Sequence, residues 1–92
     1  MRLHRRFDKP DKNQNEIIVA LRSVGAKVVD TSVVGSGFPD LVCKFRGTLY
    51  LIEVKSKKGR LTPKEYDFFE DWGDVTIIVR DPEDALKAIG AI

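Results

Sequence analysis

GFPDLVCKFRGTLYLIEVK, residues 37–55, contains two apolar runs, LVCKF (41–45) and TLYLIEVK (48–55), separated only by Arg46-Gly47. Two strand-like runs joined by two residues that include a glycine signal an antiparallel hairpin. A two-residue loop there pairs Phe45 with Thr48, and the register runs back until Asp40 lies opposite Glu53. Because side chains alternate along a strand, the hairpin has two unlike faces. Leu41, Cys43, Phe45, Tyr50, Ile52 and Val54 form one face, which suits a strand pair packed on a core. Asp40, Val42, Leu49, Leu51, Glu53 and Lys55 occupy the other, where Val42, Leu49 and Leu51 are expected to lie under the first helix.

Upstream of this hairpin, Ile17, Ile18, Leu21 and Val24 recur at helical spacing between about residues 13 and 24, and Gly25 is a natural stop. A short strand over roughly 26–31 follows, and VVGSGFPD turns the chain with Gly35, Gly37 and Pro39. Downstream, the basic segment KSKKGR leads to Thr62, which can cap a helix whose first position is Pro63. Tyr66, Phe68, Phe69 and Trp72 make that helix aromatic, and they are expected in the core and at a dimer interface rather than as base-stacking platforms. After Gly73, VTIIV (75–79) reads as a strand, and Asp81-Pro82 opens a last helix with Ala85, Leu86, Ala88 and Ile89. The order αβββαβα predicts an α/β fold in which helices flank a mixed four-stranded sheet, and there is no internal repeat.

At 92 residues the chain is expected to form a single domain, 1–92, led by a basic arm over 1–12 that holds Arg2, His4, Arg5, Arg6, Lys9 and Lys12. A domain this small buries only roughly 60–65% of the surface its unfolded chain exposes, so a second copy covering more of it is expected. With 42% apolar and 33% charged residues the chain reads as globular. One cysteine, Cys43, excludes an intramolecular disulfide framework and points to a reducing, intracellular compartment (cytoplasmic, or host-cell cytoplasm for a viral protein); Cys43 itself reads as a small core hydrophobe. No membrane-length apolar run is present. One histidine and one cysteine cannot build the usual zinc site, so any metal would be an oxygen-ligated ion such as Mg²⁺ or Mn²⁺.

Chemistry concentrates where Asp40, Glu53 and Lys55 converge at one end of the hairpin. Residues directly opposite across an antiparallel pair have Cβ atoms about 4.5–5.5 Å apart, and two carboxylates so placed repel unless a cation or a proton lies between them. A divalent ion held by one or two carboxylates keeps sites free for a phosphate oxygen and a water. Lys55 adds a positive charge where a phosphoryl transition state builds negative charge. The cations that follow, Lys57, Lys58, Arg60 and Lys64, begin at this site and suit contacts to DNA phosphates, with Arg5 and Arg6 of the arm as further candidates. A charge run of this kind also has an ordinary reading as a solvated loop.

G-F-P-D at 37–40 followed by E-V-K at 53–55 resembles the PD-(D/E)xK nucleases. With Glu16 on the preceding helix and L-T-P at 61–63, the chain looks like the virus-type replication-repair nuclease domain, VRR-NUC. This resemblance implies a restriction-endonuclease-like αβββαβ(α) core. It also implies that Asp40, Glu53 and the backbone carbonyl of Val54 bind the metal, that Lys55 is catalytic, and that Glu16 adds a carboxylate. Glu16 has a structural alternative, closing a capping box as the third helical residue after an Asn13 N-cap. Glu65 stands where the family's L-[ST]-P-x-Q pattern has glutamine, and is left out of the expected site. Small stand-alone members resemble homodimeric junction-cleaving enzymes, so the expected function is metal-dependent, structure-selective DNA endonuclease activity on branched DNA such as Holliday junctions, in DNA repair. The competing expectations are a non-catalytic DNA-binding or assembly module on the same fold, and a restriction-type or flap nuclease.

Overall fold

The computed structural model describes residues 12–92, so Arg5, Arg6 and most of the basic arm lie outside the described residues. The elements follow in the expected order: α1 (Lys12–Ser23), β1 (Lys27–Asp30), β2 (Leu41–Phe45), β3 (Thr48–Val54), α2 (Pro63–Trp72), β4 (Thr76–Val79) and α3 (Pro82–Ala88). They form one mixed sheet in the order β1-β2-β3-β4, with β4 parallel to β3 and the other pairs antiparallel.

Arg46 (φ 52°) and Gly47 (φ 83°) both occupy the left-handed region, the signature of a type I′ turn whose twist matches that of its strands. The Arg46 guanidinium lies 4.6 Å over the Phe45 ring. The turn fixes the predicted register, with Phe45 opposite Thr48 and Leu41 opposite Ile52. Helix α1 ends in a Schellman arrangement, where Ala26 N donates to Leu21 O (3.1 Å) across Gly25 (φ 94°). Thr62 and Glu65 close a capping box at the start of α2, and the Asp81 side chain caps α3.

The core lies between the sheet and the pair α1 and α3, with Ile17, Leu21, Leu41, Cys43, Ile52, Val79 and Ala85 fully buried. Helix α1 therefore covers the Leu41/Cys43/Ile52 face, and not Val42, Leu49 and Leu51 as the sequence suggested. The apolar stripe of α1 needs an unbroken apolar surface, which the other face, interrupted by Asp40, Lys44 and Glu53, does not offer. Helix α2 takes that second face instead, and Phe68 meets Phe38 edge to face at 5.4 Å. None of its residues is fully buried, and Tyr66 and Trp72 are exposed, so the aromatic helix does not belong to the core. Lys12 and Asn13 are helical, and the Asn13 side chain donates to Arg80 O (3.1 Å). Asn13 is thus not an N-cap, and Glu16 does not close a capping box with it.

Gly37 (φ 83°) lets the β1–β2 loop press against the first turn of α2, where an added Cβ would collide with the Lys64 carbonyl. Gly25 has a similar φ but open space around it. Gly25→Ala should lose only the roughly 1–2 kcal/mol of a left-handed backbone, whereas Gly37→Ala should lose clearly more, because backbone must also move. Urea unfolding midpoints of the two variants check this order.

Candidate active site

Backbone hydrogen bonds bring Asp40 to the sheet before its side chain does anything. Thr31 N donates to Asp40 O and Thr31 Oγ1 to Pro39 O, both at 2.8 Å, which clamps the end of the β1–β2 loop. Asp40 then follows the hairpin register to a place opposite Glu53, and its Oδ2 accepts the Val54 N–H at 2.9 Å. On the neighbouring side, Lys55 N donates to Val79 O (3.0 Å), so the end of β3 is held between two elements. Lys55 Nζ stands 3.5 Å from Glu53 Oε2 and 2.7 Å from Glu65 Oε1.

Asp40, Glu53, Lys55 and Glu65 line a cavity of about 640 Å³, together with Val54 and with Asn13 and Glu16 from α1. The structure thus brings together the three residues read from the hairpin and sets Glu16 at the rim, half-exposed and paired with Lys12 at 3.8 Å. Lys57, Lys58, Arg60 and Lys64 are exposed on the segment leading from Lys55 into α2. Arg5 and Arg6 lie outside the described residues.

Two groups at this centre were not predicted from the sequence. Glu65 sits at the third position of α2, accepts from Thr62 N (2.9 Å), and holds the Lys55 ammonium. Its signal in the sequence, the T-P-K-E capping box, marks a helix start and carries no information about which strand end that start meets. Arg80 follows β4 and gathers the basic loop, its guanidinium donating to Ser56 O (2.6 Å) and Gly59 O (2.9 Å). Its backbone N–H donates to Asp84 Oδ2 (2.8 Å). Nothing in the sequence marks Arg80, because its partners are backbone carbonyls of a distant loop.

The electrostatics are unbalanced, with three carboxyl groups facing one ammonium. Glu53 is only 2% exposed, and burial, then the charges of Asp40 and Glu65, push its pKa up to about 9. Burial also raises Asp40, although the Val54 N–H and Glu53 favour its charged form. Burial disfavours charge on Lys55, yet the Glu65 hydrogen bond and the Glu65 and Glu53 charges outweigh it and raise the pKa. Glu65 falls below its ordinary value because Lys55 and the Thr62 N–H overcome its burial.

This donor set suits a hard divalent cation. Buried Glu53 and half-buried Asp40 line the same cavity, and Lys55, already engaged by Glu65, does not balance the carboxyl groups around it. Among the described residues no three His, Cys, Asp or Glu side chains are placed to hold a metal ion together. A two-carboxylate set that leaves positions for water is the arrangement Mg²⁺ commonly takes.

No protein-family model matches the sequence, and no curated protein matches it. Among solved structures, one described as a VRR_NUC domain superposes with a TM-score of 0.66 at 26% sequence identity, over 85% of this chain and 90% of that chain. The chain is therefore a VRR_NUC-like domain of restriction-endonuclease-like fold, a nuclease-type domain. No helix among the described residues is long and apolar enough to cross a membrane.

Without metal, folded Glu53 keeps its proton where the unfolded chain has lost it. That stability is fully present below the ordinary value of 4.5 and is lost as pH rises toward about 9. In chelator, Tm should fall between pH 5 and pH 9, and Glu53→Gln should flatten the fall and raise Tm near pH 8 by several degrees, since about 1 kcal/mol is worth roughly 4–8 °C in a domain of this size. Thermal unfolding followed by circular dichroism across this range checks both.

Proposed function

We propose that this VRR_NUC-like domain is a metal-dependent, structure-selective endonuclease that hydrolyses phosphodiester bonds of branched DNA such as four-way junctions, and that it works as a homodimer. The observation that carries the reading is buried Glu53 placed with half-buried Asp40 beside Lys55, an arrangement that is costly in an empty fold and useful around a cation. Asp40, Glu53 and the Val54 carbonyl are the proposed ligands of Mg²⁺ or Mn²⁺, with Glu16 reaching from the rim. When bound, such an ion supplies Lewis acidity toward a phosphate oxygen and lowers the pKa of a water.

The residues of the chain account for the rest. Lys55, kept charged by Glu65 and Glu53, provides a fixed ammonium for the negative charge that grows on the phosphoryl oxygens. Glu65 is a positioning residue, since it holds that ammonium from the rigid first turn of α2. The Val54 N–H holds the Asp40 carboxylate through Oδ2 at the wall of the cavity. Lys57, Lys58 and Arg60, from the loop that Arg80 holds, and Lys64, from the first turn of α2, are the proposed phosphate contacts, with Arg5 and Arg6, outside the described residues, as further ones.

The dimer reading is supported by the groove among Phe38, Leu49, Leu51, Phe68, Trp72 and Val75, an apolar surface left open on a chain of 92 residues. A twofold pair presents two identical sites, which suit the paired strands of a symmetric junction.

Labelled duplex, flap and four-way-junction DNA incubated with Mg²⁺ tests the proposal. Junction strands should be cut only with metal, and Asp40→Ala and Lys55→Ala should each slow cutting by roughly 10²–10³-fold, the loss typical of removing one preorganised charge-stabilising group. Mg²⁺ should also raise the Tm of the natural chain and leave that of Asp40→Ala nearly unchanged. Tight DNA binding with no cutting in any divalent metal would overturn the enzyme reading in favour of a binding module.

A further inference from the structure

The face of the sheet that carries Asp40 and Glu53 is not fully covered. Helix α2 packs over the β3 side, leaving β1 and β2 open, and Val29 is 59% exposed there. The register on this open part places Lys27 directly opposite Lys44. Both lysines are exposed, and among the described residues neither has a carboxylate within ion-pair distance. Like charges directly opposite across an antiparallel pair cost the sheet stability, so the fold alone gives no reason for this pair.

The position of the pair relative to the site is set by the strand. Asp40, Val42 and Lys44 alternate onto one face, so Lys44 lies four residues from Asp40, about 13 Å at roughly 3.3 Å per residue. Val29 and Val42, paired in the register, lie between the lysines and the carboxylates with no charge on this face. By contrast, Asp67, Glu70 and Asp71 are exposed on α2 and repel a polyanion crossing that helix. The open route for a nucleic-acid backbone through the site runs over β1 and β2.

Resting on the nuclease reading, we propose that Lys27 and Lys44 form a second phosphate-binding site, which holds the DNA backbone roughly 13 Å from the bond to be cut. The pair gains from a bound polyanion what it costs the free protein, and it fixes the direction in which a DNA arm leaves the site.

Fluorescence anisotropy with labelled duplex and junction DNA, over a series of salt concentrations in chelator, tests this together with thermal unfolding. Lys27→Gln and Lys44→Gln should each raise Kd about tenfold at 0.1 M salt, and the double variant should lower the slope of log affinity against log salt by about two. Lys44→Glu should weaken DNA binding further while raising Tm, because it places an opposite charge across from Lys27. Opposed signs on binding and stability exclude loss of fold as the cause. If the natural chain cuts and binds DNA and the lysine variants keep its affinity and salt slope, this proposal fails and the nuclease reading stands. Failure of the natural chain to bind DNA under any of these conditions overturns both. Loss of self-association in the variants with unchanged DNA affinity would assign the lysines to the acidic surface of a second copy and overturn the phosphate site.

Discussion

The two-residue turn at Arg46-Gly47 is the constraint on which the rest depends. Because side chains alternate with a period of two, a slip of one residue in the pairing of β2 with β3 would send Leu41, Cys43 and Ile52 toward solvent. Asp40 and Glu53 would no longer face each other. The type I′ geometry, with both turn residues at positive φ, permits one pairing, and the apolar demand of α1 and α3 enforces the same one. Core and candidate site are two faces of a single register.

That shared origin explains why the site can hold groups that oppose folding. Glu53 is buried at the end of a strand whose other side, Ile52 and Val54, anchors the core, so its desolvation is imposed by the same residues that stabilise the sheet. Three carboxyl groups around Lys55 leave a net negative charge in a cavity where Glu53 is buried. Where a buried charge is left uncompensated, the fold either takes up a proton or waits for a cation. The first describes the metal-free protein, and the second is the proposed working state.

Helix α2 adds little to the core and much to the centre. Its capping box is a local device for satisfying two orphan N–H groups, yet Glu65 in that box also holds the Lys55 ammonium. The close approach at Gly37 seats this turn against the loop that delivers Asp40. Arg80 performs a parallel task on the other side by gathering the carbonyls of the basic loop. Side chains from separate elements are thereby fixed around one cavity without a large core beneath them.

The sequence by itself determined the order of the elements, the hairpin register, the caps at Thr62 and Asp81, and the meeting of Asp40, Glu53 and Lys55. All of these follow from local rules: period-two alternation, turn chemistry and capping, which act over a few residues. It misplaced α1 and left out Glu65 and Arg80, and it put the aromatic helix in the core. Which face of a sheet a helix covers, and which strand end a helix start meets, depend on competition among distant apolar surfaces. Local pattern carries no record of that competition. Only the tertiary structure decided that the unbroken Leu41/Cys43/Ile52 face would take α1 and α3, and that the interrupted face would be left for α2 and the candidate site.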